Sequence, residues 1–587
     1  MILLRRLVVL SAFCLPATLQ GQKPALAQAD WDRWRSISGA ALTNDGRWAA
    51  YSIAPLVGDG ELVLRSTSGP TEYRIARGYL GRPNNVPGGL RPRAANPEDE
   101  PAGPGVAPAQ LTADSKYALV LTYPTQAEFD RVARDRRRAA TVQNRADLAL
   151  VRLADGNVTT IQRVRSFRLP RYSGAWVAYV VADSAPADSS ARPAGGGAPA
   201  APAARPATPR RRFGTALVLR NLATGGEERI ADVLDFAFDD SAKVFAYAVV
   251  SRASDKDGAY VRNLSTGATT TLLSGKGDYT QIALDRAASQ IAFVSNRDEF
   301  GKDNATFTLY HASIREGVAK PAVTASALSG RRLVEGANVA FTRAGNAIVL
   351  GIAPPLVDTL PADSLVNKSV FDLWHYKDAT LQPAQRLSAA RDRNRSFQAI
   401  YHVATKKLVR LANDSMPQVS ISDDGRIALA NTRERYMIEQ MWGDGGTDVY
   451  VIDAVTGTAK LVREKITGNA QLSTNAKYAA FFDNGKWFTY NVATGRTTEV
   501  TAAVKGVSFA RETHDTPSPA PAWGIAGWTK DDRSMLVYDR WDIWEIDPTG
   551  VRAPVMVTDS MGRKGGVTLR LAMGGGGFGF GGHGMKG

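Results

Sequence analysis

Apolar and polar positions along this chain recur as one phrase: an apolar residue, a polar turn, a basic or polar residue, then an alternating or continuously apolar run. Clear copies read LTNDGRWAAYSI from Leu42, LTADSKYALVLTY from Leu111, FDDSAKVFAYAVV from Phe238, ISDDGRIALANT from Ile421 and LSTNAKYAAFF from Leu472. Weaker copies begin at Leu169, Leu284, Phe341 and Trp528. Successive starts lie about 61 residues apart on average, roughly one four-stranded propeller blade plus insertions. The turns use Asn, Asp and Gly, which tolerate positive φ and bond their own backbone. The runs that follow suit strands sandwiched between neighbouring blades.

Most copies are followed by a second strand pair, as in ALVLRNLATGGEERI, AYVRNLSTGATTTLL and WFTYNVATGRTTEV. An apolar strand ends in a TG or DG turn and returns Thr-rich or charged, the composition of a blade edge. Isolated hairpins are marginal in water, so a ring of blades is expected to stabilise them. The predicted fold is all-β, a β-propeller of about eight blades with one short helical insertion and disordered loops. Nine copies suit eight or nine blades, and an incomplete or unclosed ring is the alternative.

Three segments break the pattern. PTQAEFDRVARDRRRAATVQ (124–143) has helical composition and reads as a surface helix. Residues 185–212 are Ala, Pro and Gly with almost nothing to bury and read as a disordered insertion, with 91–108 a shorter loop of the same kind. Nine of the fourteen residues of GGGGFGFGGHGMKG (574–587) are glycine, which predicts a flexible tail. The propeller is thus expected over 30–573.

Composition changes this picture at the N-terminus. MILLRR is basic, LVVLSAFCLPATL is apolar but too short to span a bilayer, and Ala25-Leu26-Ala27 is a cleavage box, so 1–29 reads as a signal peptide. The only cysteine, Cys14, lies inside it. A lipoprotein anchor there is not expected, because Phe13 precedes it where a small residue belongs. The mature chain would have no disulfide, no thiolate metal site and no integral membrane segment, and would be periplasmic or secreted. Net charge is +15, partly concentrated in RVARDRRRAA and RPATPRRRF. Neither interleaves aromatics with arginine as base stacking requires, so no nucleic-acid partner is expected.

Catalytic chemistry is hard to find. No G-x-S-x-G elbow occurs, and the nearest string, GVSFA (506–510), reads as a strand. The histidines are His311, His375, His402, His514 and His583, and none has a partner at metal-ligand spacing. His514 and Asp515 are adjacent, and adjacent residues on an extended segment point apart. The residues therefore predict no catalytic site, no cofactor site and no metal site.

Two longer strings carry a resemblance. One is VEGANVAFTRAGNAIVLGIAPP with VFDLWHYKDATLQPAQR (334–386), including Trp374, His375, Tyr376, Lys377, Asp378, Gln382 and Gln385. The other is HDTPSPAPAWGIAGWTKDDRSMLVYDRWDIWEIDPTG (514–550), followed by DSMGRKGGVTLRL. Both resemble the propeller portion of exported bacterial serine peptidases of the prolyl oligopeptidase (S9) family. The resemblance implies an N-terminal propeller that gates short peptides to a C-terminal α/β-hydrolase domain bearing the Ser-Asp-His triad. No position here matches that triad. The expectation is a truncated, non-catalytic member with short peptides or a protein as partner. The alternatives are a Tol-associated periplasmic propeller acting as a binding module, and the propeller subunit of a split peptidase.

Overall fold

The computed structural model describes residues 26–27, 30–31, 34–55, 57–80, 108–132, 145–182, 211–302, 305–355, 373–393 and 395–571. Nearly all of the 1–29 segment, most of 91–108, most of the 185–212 insertion and the 574–587 tail lie outside the described residues. Two units divide the chain, one of residues 1–111 and 117–162, the other of 112–116 and 163–587.

The first unit holds two four-stranded antiparallel meanders, over 35–79 and 110–161. The second holds a seven-stranded meander over 164–274 and then five further sheets, over 279–323, 332–410, 419–466, 471–499 and 525–556. Strands pair with their neighbours in chain order, as hairpin after hairpin requires, except that Arg332–Leu333 and Ala340–Phe341 both pair with Ala347–Ala353. The core lies between successive sheets. Ala246 and Val261 pack with Phe293 and Tyr310 of the next sheet, and Val294 and Leu309 with Leu350 and Ile352 of the one after. In the first unit, Leu62 and Leu64 pack with Val120 and Val151. Face-to-face stacking of meanders is β-propeller architecture, and it explains why the strand Val244–Val249 is buried at every position. The last strands, such as Val158–Ile161 and Ala459–Ile466, are mostly exposed. No helix among the described residues is long and apolar enough to cross a membrane.

At one joint the outer strand of one blade runs on into the inner strand of the next, because Glu227–Phe238 is one strand shared by both. It contains no Gly or Pro to break it, and the joint is marked by register shifts between Ile230 and Val233 and between Val233 and Asp235, with Asp232 left-handed at φ 55°. Two expectations need correction. Helix is not confined to one insertion. Beside Gln126–Val132, a helix spans Gln382–Arg393 and a short one Met561–Gly565. The second begins with Pro383 in its first turn and continues through Ala, Leu and Arg, all good helix formers after a proline start. Finally, GVSFA is irregular backbone with a single bridge, Ala510 to Ala522, and Phe509 buried beneath it.

The repeated turn has a second invariant that the Asn, Asp and Gly positions hide. At its base stands Thr, Ser or Asp, whose side chain accepts a hydrogen bond from the backbone N–H five residues on. Thr43 accepts from Trp48, Asp239 from Val244, Asp285 from Gln290, Thr342 from Ala347, Ser422 from Ile427, Ser473 from Tyr478 and Thr529 from Ser534. Burial of the base residue is tolerated because this bond satisfies it. The copy from Leu169 has Pro170 at the base and cannot close in this way.

Three residues after the base, the backbone is left-handed. That position is glycine at Gly46, Gly345 and Gly425, but alanine at Ala242, Ala288 and Ala476, with φ of 56°, 56° and 54°. An L-residue there costs about 1–2 kcal/mol, and the greater unfolded-state entropy of glycine returns about half of that. Each of Ala242→Gly, Ala288→Gly and Ala476→Gly is therefore expected to raise stability by about 0.5–1 kcal/mol. Denaturant melts of the three variants check this, and a loss of stability in all three would refute the turn geometry.

Candidate functional site

The described histidines are placed by ordinary packing. His311 Nε2 lies 2.9 Å from Gln290 Oε1, and burial pushes the imidazole pKa down. His402 Nε2 lies 2.9 Å from the Ala454 carbonyl oxygen. His375 Nδ1 accepts from the Lys377 N–H, and its ring packs on Tyr376 at 4.4 Å between centroids. His583 is outside the described residues. Among the described residues no three His, Cys, Asp or Glu side chains converge as a metal site would require.

His514 meets Thr516 and Ser518 rather than its neighbour Asp515. Its Nε2 is 2.8 Å from Thr516 Oγ1 and 3.0 Å from Ser518 Oγ. A hydroxyl within hydrogen-bond reach of an imidazole is half of a nucleophile-and-base pair. The other half is missing, since among the described residues no carboxylate bonds Nδ1, and Ser518 sits exposed on irregular backbone with nothing to exclude water.

Buried carboxylates are more numerous than the sequence suggests, and each holds local structure. Asp257 accepts from the Ser251 N–H at 2.7 Å and pairs with Arg211 at 2.5 Å. Burial alone would raise its pKa, but these bonds outweigh it and hold the carboxyl below its usual range. Asp532 accepts from Ser473 Oγ at 2.7 Å and from the Asn475 N–H at 3.0 Å, tying two successive repeat turns together. Asp539 and Asp542 are fully buried and flank Arg563.

Asp448, also fully buried, anchors a loop. It accepts from Tyr436 Oη at 2.7 Å, from Arg435 Nη1 at 3.1 Å and from the Lys465 N–H at 3.0 Å. Above this anchor run two single-turn 3-10 helices, Glu434–Tyr436 and Glu439–Trp442, closed by Gly443 at φ 83°. They present Ile438, Met441 and Trp442 to solvent, the last 83% exposed. A side chain at Gly443 would lie 3.4 Å from the Pro517 carbonyl oxygen, so this loop touches the 511–523 segment. There Trp523 Nε1 donates to Glu512 at 2.9 Å, and the Arg511 and Arg570 guanidinium groups lie 5.3 and 5.4 Å from the Trp523 ring. Arg570 is also 4.5 Å from the Tyr538 ring. Exposed Trp, Met and Ile beside arginines held on aromatic faces form a surface suited to apolar and carboxylate-bearing segments.

Sequence reasoning did not find this surface. Its 433–446 half belongs to no string singled out above, and only the run YMIEQMW, too apolar for an exposed turn, signals it; its other half, with Trp523, Tyr538 and Arg570, lies almost wholly within the second resemblance string. The residues of the first resemblance string, Trp374 to Gln385, lie instead on the connection between the strands Ala347–Ala353 and Phe397–His402.

No known protein family and no curated protein matches this sequence. Among solved structures, the tricorn protease is similar at 10% identity, over 76% of this chain and 36% of its own length, with a TM-score of 0.31. A prolyl endopeptidase is similar at 10% identity, over 78% of this chain and 55% of its own, with a TM-score of 0.34. TolB from Acinetobacter baumannii is similar at 13% identity, over 59% of this chain and 72% of its own, with a TM-score of 0.23. This chain thus spans about a third of the first and just over half of the second. At these identities and scores the fold assignment rests on the sheet topology described above.

Proposed function

We propose that this chain is an exported, non-catalytic β-propeller that binds short peptide or protein segments on the surface formed by 433–446 and 511–523. The reading agrees with the resemblance to the propeller that gates substrates in S9 serine peptidases. The observation that carries it is the anchored loop, because a buried Asp448 holds Trp442, Met441 and Ile438 out in water, where nothing in the fold requires them. Support for a non-catalytic role comes from the buried carboxylates, which hold local structure, and from His311 and His402, which are engaged in strand packing. The basic start and apolar run of residues 1–29 support the export part of this reading.

The experiment is a calorimetric titration with short peptides containing Pro, Ala and Glu. Wild-type protein is expected to bind at least one peptide, and Trp442→Ala to weaken that binding about tenfold, the effect of losing an aromatic anchor. Unchanged affinity in Trp442→Ala would move the binding surface elsewhere. The alternatives, a Tol-associated module and the propeller subunit of a split peptidase, share the binding role and differ in whether the partner is an envelope protein or a hydrolase chain.

A further inference from the structure

The connection at 373–395 presents a second surface, unlike the first in chemistry. Leu373 and Leu387 are about nine-tenths exposed, and Trp374 and Tyr376 stand in solvent beside them. Lys377, Arg386 and Arg391 are exposed on the same segment. Residues 373–395 contain five basic residues against two acidic ones. Both acids are engaged inside the segment. Asp378 accepts from the His375 N–H at 3.1 Å and from Gln385 Nε2 at 3.2 Å, while Asp392 accepts from Ser388 Oγ at 2.5 Å and pairs with Arg395 at 3.0 Å.

These bonds give the segment form. Gln385 also donates to the Thr380 carbonyl oxygen at 2.6 Å, so the aromatic turn is stapled to the first turns of the helix Gln382–Arg393. The Lys377 ammonium lies 5.6 Å from the Tyr376 ring. Aromatic and leucine side chains are thus held out together with a net excess of cations, although Arg391 lies 3.8 Å from Asp392.

We infer that 373–395 is an interfacial anchor that docks this propeller on an anionic phospholipid surface. Trp and Tyr favour the headgroup level of a bilayer, where a ring sits in the apolar boundary and its polar edge stays wet. Lys and Arg stems lie along that boundary while their charges meet anionic headgroups. Charge complementarity selects the occupant: the segment carries excess positive charge, and so does the chain as a whole, at +15. The inference is independent of the peptide reading, because the two surfaces share no residue.

The test is co-sedimentation with vesicles of phosphatidylglycerol and phosphatidylcholine, compared with vesicles of phosphatidylcholine alone. The protein is expected to partition onto the anionic vesicles and to leave them as salt rises. Lys377→Gln, Arg386→Gln and Arg391→Gln should each lower partitioning about fivefold, and Trp374→Ala about tenfold. All four side chains are exposed, so circular dichroism and thermal midpoint should match wild type. Trp442→Ala should bind vesicles as wild type does, which separates this surface from the peptide surface. Equal partitioning onto neutral vesicles, no partitioning, or undiminished partitioning of the variants would each overturn the inference. So would capture of a soluble protein that depends on these residues without any vesicle binding, which would assign the surface to a protein.

Discussion

Asp542→Ala is expected to destabilise the last sheet by about 3 kcal/mol, the lower end of the range for removing one partner of a buried ion pair. Asp542 is fully buried at the foot of the strand Ile543–Ile546. Its carboxylate accepts from Thr558 Oγ1 at 2.8 Å, from the Gly562 N–H at 2.9 Å and from Arg563 Nε at 2.8 Å. It also accepts from the Arg563 N–H at 3.3 Å, so alanine would leave four donors without this acceptor and the Arg563 guanidinium paired with Asp539. Arg563 is about one-third exposed, so water recovers part of its loss and the lower end applies. The check is a denaturant melt followed by near-ultraviolet circular dichroism, which reports Trp541 and Trp544 beside the site. A cost under about 1 kcal/mol would mean that these bonds do not hold the sheet.

The same carboxylate predicts how stability depends on pH. Burial would raise its pKa, but the bonds from Arg563, Thr558 and the Gly562 N–H outweigh burial and hold it below the usual range. A folded-state pKa below the unfolded value contributes stability that is present above the unfolded pKa and disappears as pH falls through the folded one. For aspartate the unfolded value is about 3.9. Wild-type protein should lose this contribution as pH falls below about 4, and Asp542→Ala, having no such carboxylate, should show a shallower acid limb.

Asp448→Ala is expected to cost about 2–4 kcal/mol locally and to abolish peptide binding. The buried Asp448 is the shared acceptor for Tyr436, Arg435 and the Lys465 N–H, and without it the turn Glu434–Tyr436 loses the carboxylate that ties it to the sheet. Hydrogen exchange across 433–446 should rise while exchange in the strands Val244–Val249 and Gln290–Ser295 stays slow. Trp442→Ala should weaken binding with no change in exchange, since its side chain stands in water. If Asp448→Ala loosened the loop yet bound peptide as wild type, the loop would be exonerated as the binding surface.

The propeller was legible because a sandwiched strand must be apolar and a turn must be polar, and nine copies of that contrast survive in the chain. What the contrast conceals is the polar residue at the base of the turn, buried at most copies. Thr43, Asp285 and Ser473 look like ordinary turn residues, and only the bond to the backbone five residues on shows why they are inside. Burial of aspartates was illegible for the same reason: Asp448 and Asp542 sit in strings that read as turn or strand edge. The helix Gln382–Arg393 was missed because its few apolar residues give no helical stripe, the pattern expected of a helix packed on a core. The loop bearing Trp442 belongs to no repeat, so periodicity could not place it. His514 shows the limit of adjacency as an argument. Asp515 was its neighbour in sequence, whereas Thr516 and Ser518 are its partners in space.

The measurement that tests the account most directly is incubation of purified protein with the short peptide that it binds, followed by mass spectrometry of the peptide alongside the calorimetric titration. The account predicts saturable binding with the peptide recovered intact. Cleavage that tracks the protein through purification would contradict it.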